Sequence, residues 1–275
     1  MSTAWRAVRV ERCANRDAVM GALFAAASQG VHEDGDALVT HFPPDVDTDS
    51  VVAAVRGSDS SAVVTVGEVP AVDWSVWRAN VEPHRVGSLV VTPPWCAAEF
   101  DAAVTIVIDP AMAFGTGEHP TTRGMLRLMQ QAVRAGDSVA DLGAGSAVLS
   151  IAAAKLGATR IAAIEIDDGA ESSALENIRV NNVSAAIRYL VGDAVVLLGL
   201  VAPVRVVLGN IVSSVLMELL PGIAAALAPD GVALLSGILV EERELMLRGI
   251  GRVGLEMQTE DVEGDWLSML TRRAM

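Results

Sequence analysis

The turn Asp141-Leu142-Gly143-Ala144-Gly145-Ser146-Ala147 follows a short apolar run, Ser138 to Leu142, and opens an Ala-rich one, Ser146 to Leu156. Two glycines let a backbone bend tightly and approach a ligand, and the free N–H groups of a following helix face any anion placed there. Glu165 comes 22 residues after Gly143, at the end of the next apolar run. A carboxylate there can accept hydrogen bonds from both hydroxyls of a ribose. The pairing suits an adenosine, carried either by a dinucleotide or by S-adenosylmethionine. A dinucleotide fingerprint asks for glycine where Val148 stands. Asp141 would also oppose a pyrophosphate, whereas it can stabilise the ammonium of a methionine moiety directly or through water. The methyl donor is the expected ligand.

Asp193, in Gly192-Asp193-Ala194, follows the third expected strand and is placed to accept from an adenine amino group; its plainer reading is a surface turn residue. Asn210 ends the fourth strand, where the transferring methyl group would project, so its amide would orient an amine or the cofactor. The plainer reading is a cap for the helix from Ser213. Upstream, the glycines and hydroxyls between Asp109 and Thr122 suit a lid that orders over a cofactor and excludes water. His119, beside Pro120, is expected to be a structural hydrogen bonder rather than a base. Cys13 and Cys96 lack the spacing of a zinc site or a disulfide framework, so no metal is expected.

These residues need a scaffold that gathers strand ends. Ser138–Leu142, Ile161–Ile166, Ile187–Val191, Val204–Leu208 and Val232–Ile238 read as strands, with helices at Ser146–Leu156, Gly169–Asn181, Ser213–Leu227 and Glu241–Gly251. Such alternation implies parallel βαβ units with right-handed crossovers, hence a doubly wound sheet that binds ligands where the strand order reverses. Leu255–Thr259 and Trp266–Arg272 are expected to close it as an antiparallel hairpin. Residues 1–67 read as strand, helix, strand, helix, strand, a trimmed ferredoxin-like α+β layer. Residues 68–100 carry Trp74, Trp77, Pro83, Gly87, Pro93, Pro94 and Trp95 with little helical period and read as a connector. Residues 101–275 form the ligand-binding domain.

Composition narrows the class. The chain has 275 residues, 52% hydrophobic, and a net charge of -14, with Lys155 its single lysine and no basic run. A packed globular protein follows, and binding to duplex nucleic acid does not. Trp5, Arg6 and Arg9 stand where a secretory signal would need an apolar core. The apolar stretch Ala194–Leu208 is broken by Pro203 and Arg205, short of the roughly 18 residues a spanning helix needs. A cytoplasmic protein without a membrane segment is expected.

The run Ala113-Phe114-Gly115-Thr116-Gly117-Glu118-His119-Pro120-Thr121-Thr122, with Asp73-Trp74, Trp77, Pro83, Gly87 and Pro94-Trp95 before it, resembles the PrmA family. These are class I S-adenosylmethionine-dependent methyltransferases that modify protein eleven of the large ribosomal subunit. The resemblance covers Val72 to Arg272 well and the remainder in layout only. It implies a seven-stranded, mostly parallel Rossmann-like sheet and a small N-terminal domain that selects the ribosomal protein. By the resemblance Thr122, Gly143, Glu165 and Asn210 fall on the family's donor contacts; together with Phe114 of the lid run, Asp141, Gly145 and Asp193 they make up the expected donor site, with Asn210 acting on the acceptor as well. Glu165 replaces the family's usual aspartate, Glu118 is atypical, and Ala147 stands where a third glycine is common, adding a methyl group near the methionine tail. Three functions compete: N-methylation of a ribosomal protein, the same chemistry on another protein, peptide or small amine, and a catalytically silent donor-binding module.

Overall fold

The computed structural model describes residues 5–26, 28, 31–35, 37–43, 46–69, 82–109 and 117–274. Contacts divide the chain into two compact units, Met1–Asn80 and Val81–Met275. Trp74, Trp77 and Phe114 lie outside the described residues.

The first unit runs β1 (Trp5–Glu11), α1 (Arg16–Ala25), β2 (Val31–Asp34), β3 (Ala37–Phe42), α2 (Thr48–Ser58), β4 (Val63–Val69). Its strands pair antiparallel in the order β2-β3-β1-β4. This is the full ferredoxin-like pattern rather than a trimmed one. The added strand, β2, reads Val-His-Glu-Asp and has no apolar alternation to betray it. It is set by pairing with β3 across a turn at Gly35, where φ is +60°. Val8, Val10, Leu23, Leu38, Phe42 and Val55 are fully buried and hold the layers together. Asp47 caps α2, accepting from Asp49 N–H at 3.1 Å.

The second unit begins with β5 (His84–Val86), β6 (Leu89–Thr92), a 3-10 turn at Pro94–Glu99 and β7 (Thr105–Val107). These three strands form their own small sheet, so residues 84–92 are a hairpin where the sequence suggests connector. Strands of three and four residues are too short to show a period. Gly87, at φ +61°, makes the turn, and Leu89, Val90 and Val91 are buried.

There follow α3 (Pro120–Ala132), β8 (Ser138–Leu142), α4 (Val148–Lys155), β9 (Arg160–Glu165), α5 (Glu171–Val180), β10 (Ile187–Val191) and α6 (Ala194–Val201). The chain continues as β11 (Val204–Asn210), α7 (Ser213–Ala226), β12 (Leu227–Leu239), α8 (Arg243–Arg252), β13 (Leu255–Glu263) and β14 (Trp266–Arg273). The seven-stranded sheet is ordered β10-β9-β8-β11-β12-β14-β13. Its first five strands are parallel and the closing hairpin is antiparallel, as the sequence predicts. Alternation along each strand divides the core into two layers. Val139, Ile161, Val206 and Leu208 face Leu126, Ile151 and Ile178, while Ala140, Ile164, Val207 and Leu235 face Leu216, Leu220, Ile223 and Met246. The order reverses between β8 and β11, which puts a crevice at their carboxyl ends. Among the described residues no helix is long and apolar enough to cross a membrane.

Candidate active site

The chain leaves β8 through a bend in which Gly143, Gly145 and Ala147 all have positive φ, at +68°, +49° and +65°. Both Gly143 N–H and Ala144 N–H donate to Ile164 O, at 2.9 and 3.1 Å, which pins the bend to the end of β9. A Cβ on Gly143 would lie 2.4 Å from Ile211 Cγ2. Glycine is required there both by conformation and by space.

Glu165 closes β9, and its carboxylate is fixed by three backbone donors. Gly145 N–H reaches Oε2 at 2.9 Å, while Ile166 N–H and Asp167 N–H reach Oε1 at 2.8 and 3.0 Å. The carboxylate thus bridges bend and strand; Oε1 accepts two of these bonds and Oε2 one, so Oε2 retains a lone pair. Tyr189, on β10, donates from its hydroxyl to Gly145 O at 3.1 Å, and Asn177 Nδ2 donates to Ser146 O at 3.1 Å. Burial, then the charges of Glu165 and Asp141, hold the Tyr189 hydroxyl in its protonated form well above the ordinary range.

A cavity of about 770 Å³ opens over these strand ends, lined by Gly143, Gly145, Glu165, Asp193 and Asn210 among others. That size falls within the range of about 300–1,000 Å³ common to small-molecule sites. Its charged lining side chains are Glu165, Asp167, Asp193 and Glu218; none of the described lining residues is basic. Asp193 caps α6, accepting from Val195 N–H at 2.8 Å through Oδ1. Asn210 donates from Nδ2 to Thr122 Oγ1 at 3.5 Å, across from β11 to the first turn of α3. Helix α7 has Val212 at its N-cap with no side-chain bond, so Asn210 is not its cap.

The family model "Ribosomal protein L11 methyltransferase (PrmA)" matches residues 10–274. The chain belongs to this family. A ribosomal protein L11 methyltransferase of Streptococcus mutans is 34% identical over 213 residues, 76% of this chain and 67% of the relative. One of Geobacter metallireducens is 35% identical over 243 residues, 84% of this chain and 79% of the relative. The crystal structure of a ribosomal protein L11 methylase from Lactobacillus delbrueckii subsp. bulgaricus superposes with a TM-score of 0.62 at 25% identity. It covers 70% of this chain and 100% of that one. Membership in the PrmA family makes the chain a methyltransferase, and the class implies S-adenosylmethionine as methyl donor.

Against this PrmA frame, Gly143, Gly145, Glu165, Asp193 and Asn210 come together on one cavity, with Thr122 behind Asn210. Asp141 is not on the described lining: it is 1% exposed, facing α4, where Ser150 Oγ donates to it at 2.7 Å. Burial pushes its carboxyl up to about 6, opposed by the Ser150 hydrogen bond and aided by the charge of Glu165. Ala147 is fully buried and also off the lining, so its extra methyl group packs into the core. His119 is the N-cap of α3, with Nδ1 2.8 Å from Thr121 Oγ1 and its ring edge-on to Trp266, as expected of a structural residue. Sequence reasoning missed Tyr189 and Asn177. Both act through backbone carbonyls of the bend, a contact that leaves no spacing signal beyond Tyr189 being the chain's one tyrosine.

Proposed function

We propose that the second unit holds S-adenosylmethionine over the Gly143–Gly145 bend and transfers its methyl group to amine nitrogens of ribosomal protein L11, on lysine side chains or the amino terminus. The observation that carries this reading is the Glu165 carboxylate, anchored by three N–H groups in a cavity whose charged described lining is wholly acidic. A pyrophosphate would meet four carboxylates with no compensating cation among the described lining residues, whereas a sulfonium and an ammonium are matched to them. When bound, the donor supplies an electrophilic methyl group on positively charged sulfur.

The free lone pair on Glu165 Oε2 would accept from a ribose hydroxyl, and Asp193 Oδ2 from the adenine amino group. Because Asn210 Nδ2 points to Thr122, its Oδ1 is left to accept from the acceptor amine and fix the direction of attack. A lysine amine has a reference pKa of about 10.4, so it arrives protonated. The acidic lining attracts it, and the proton leaves to solvent before the nitrogen attacks. Asp141 acts behind the bend, keeping negative potential near the donor's ammonium without touching the cavity. Such a substrate is met in the cytoplasm.

The test is incubation with methyl-labelled donor and purified L11, then with a whole-cell extract resolved by mass. Label on L11 supports the reading. Label on a different protein or a small amine replaces the substrate, and donor binding without transfer to any acceptor leaves only a binding module.

A further inference from the structure

Helix α6 departs from the usual pattern of a surface helix, which buries one apolar stripe and shows water a polar face. All eight residues, Ala-Val-Val-Leu-Leu-Gly-Leu-Val, are apolar or glycine, and Leu198 is the one classed as buried. Val195, Val196 and Leu200 are 66%, 63% and 76% exposed. Between α6 and α7 runs a groove of about 310 Å³, lined by Leu198, Gly199, Gly222 and Ala225, with Glu218 the one charged residue among its described lining. Ala194, Val195, Glu218 and Leu219 line both this groove and the 770 Å³ cavity. Exposed Val212 and Val215 extend the apolar surface around the cavity mouth. Contiguous apolar surface of this kind marks an interaction site.

We infer that the α6–α7 groove seats a segment of the acceptor protein: a basic polypeptide whose small apolar side chains cover α6 while its amine passes Glu218 into the cavity. This rests on the proposed activity. Two observations select that occupant. The groove is continuous with the cavity through their shared wall of Ala194, Val195, Glu218 and Leu219, so a chain lying in it brings a side chain past Glu218 to the cavity that Asn210 lines. The charge is also complementary: the charged groups among the described lining residues of cavity and groove are all carboxylates, on a chain of net charge -14, which attracts a basic partner and repels a second copy.

The test uses the full chain with purified ribosomal protein L11 as probe, and fills the groove from either wall. A Cβ on Gly199 meets nothing within 4 Å, so Gly199→Phe occupies the groove without disturbing α6, and Ala225→Phe fills it from α7. Gly199→Ala, which leaves the groove open, is the control. Expected are unchanged affinity for S-adenosylhomocysteine in all three, and at least a tenfold rise in the L11 Kd and KM for the two Phe variants alone. Hydrogen exchange on the unaltered chain gives a reading free of variants: adding L11 should protect the amides of residues 194–201. Absent protection, or L11 affinity unchanged in variants that bind S-adenosylhomocysteine normally, overturns the inference. So does a dimer in sedimentation that Gly199→Phe dissociates, which assigns the groove to a second copy. Binding of L11 in the groove without methyl transfer upholds the inference and refutes the proposed activity alone.

Discussion

Replacing Gly143 with alanine should destabilise the second unit by roughly 2–5 kcal/mol, because two separate effects fall on one methyl group. The first is conformational: φ is +68°, and an L-residue held there costs about 1–2 kcal/mol. The second is steric: the new Cβ would stand 2.4 Å from Ile211 Cγ2, and forcing a methyl group into occupied space costs about 1–3 kcal/mol. A double-mutant cycle separates them. Ile211→Ala removes Cγ2 and has its own cost, but in its presence Gly143→Ala should retain only the conformational part. The coupling should therefore be about 1–3 kcal/mol in the direction of rescue, read from urea melts of the parent, both single variants and the double. Additivity within about 0.5 kcal/mol would refute the claim that the bend is pressed against Ile211. Donor affinity gives a second reading. Gly143 lines the cavity, so Gly143→Ala should weaken S-adenosylhomocysteine binding, and the double variant should recover part of the loss.

Asn210→Ala should lower turnover more than donor affinity; equal losses in steady-state kinetics and calorimetry would make Asn210 a donor contact only. Asp141 carries a pH signature. With its carboxyl raised from 3.8 to about 6, the folded state keeps a proton that the unfolded chain has lost between those values, so stability from this group falls as pH rises from about 4 to about 6. The displacement is worth about 3 kcal/mol. Asp141→Asn should therefore gain on the parent from pH 4 to 7, and a pH-independent difference in melting would contradict the buried ionisation. Ala147→Gly relieves a residue at φ +65° but loses a buried methyl group. Donor affinity should change by less than about 0.5 kcal/mol, as for a position off the cavity wall; a larger change in calorimetry would place Ala147 against the donor.

The parts of this fold that sequence reveals are those where one local signal and one physical need coincide. Strand β8 was legible to the residue because its five residues are bounded by the glycine bend it feeds. The position of Glu165 was legible because it closes the parallel strand next to the bend, a fixed crossover away. Helix α6 was not, since a run apolar on every side has no period to separate it from a strand, and its meaning lies in what covers it. Strands β5, β6 and β7 are three or four residues long and exist only as partners of one another. Asp141 shows the same limit within the site. Its place two residues before Gly143 suggested a ligand contact, but strand alternation turns its side chain under α4 to Ser150.

The central claim is that Glu165 grips the sugar of an adenosyl sulfonium donor. Calorimetric titration of S-adenosylhomocysteine and of a nicotinamide dinucleotide into the parent and Glu165→Ala tests it most directly. The account requires selective binding of the first ligand, weakened in Glu165→Ala by on the order of 1–3 kcal/mol. Equal affinity in the two proteins, or preference for the dinucleotide, would contradict it.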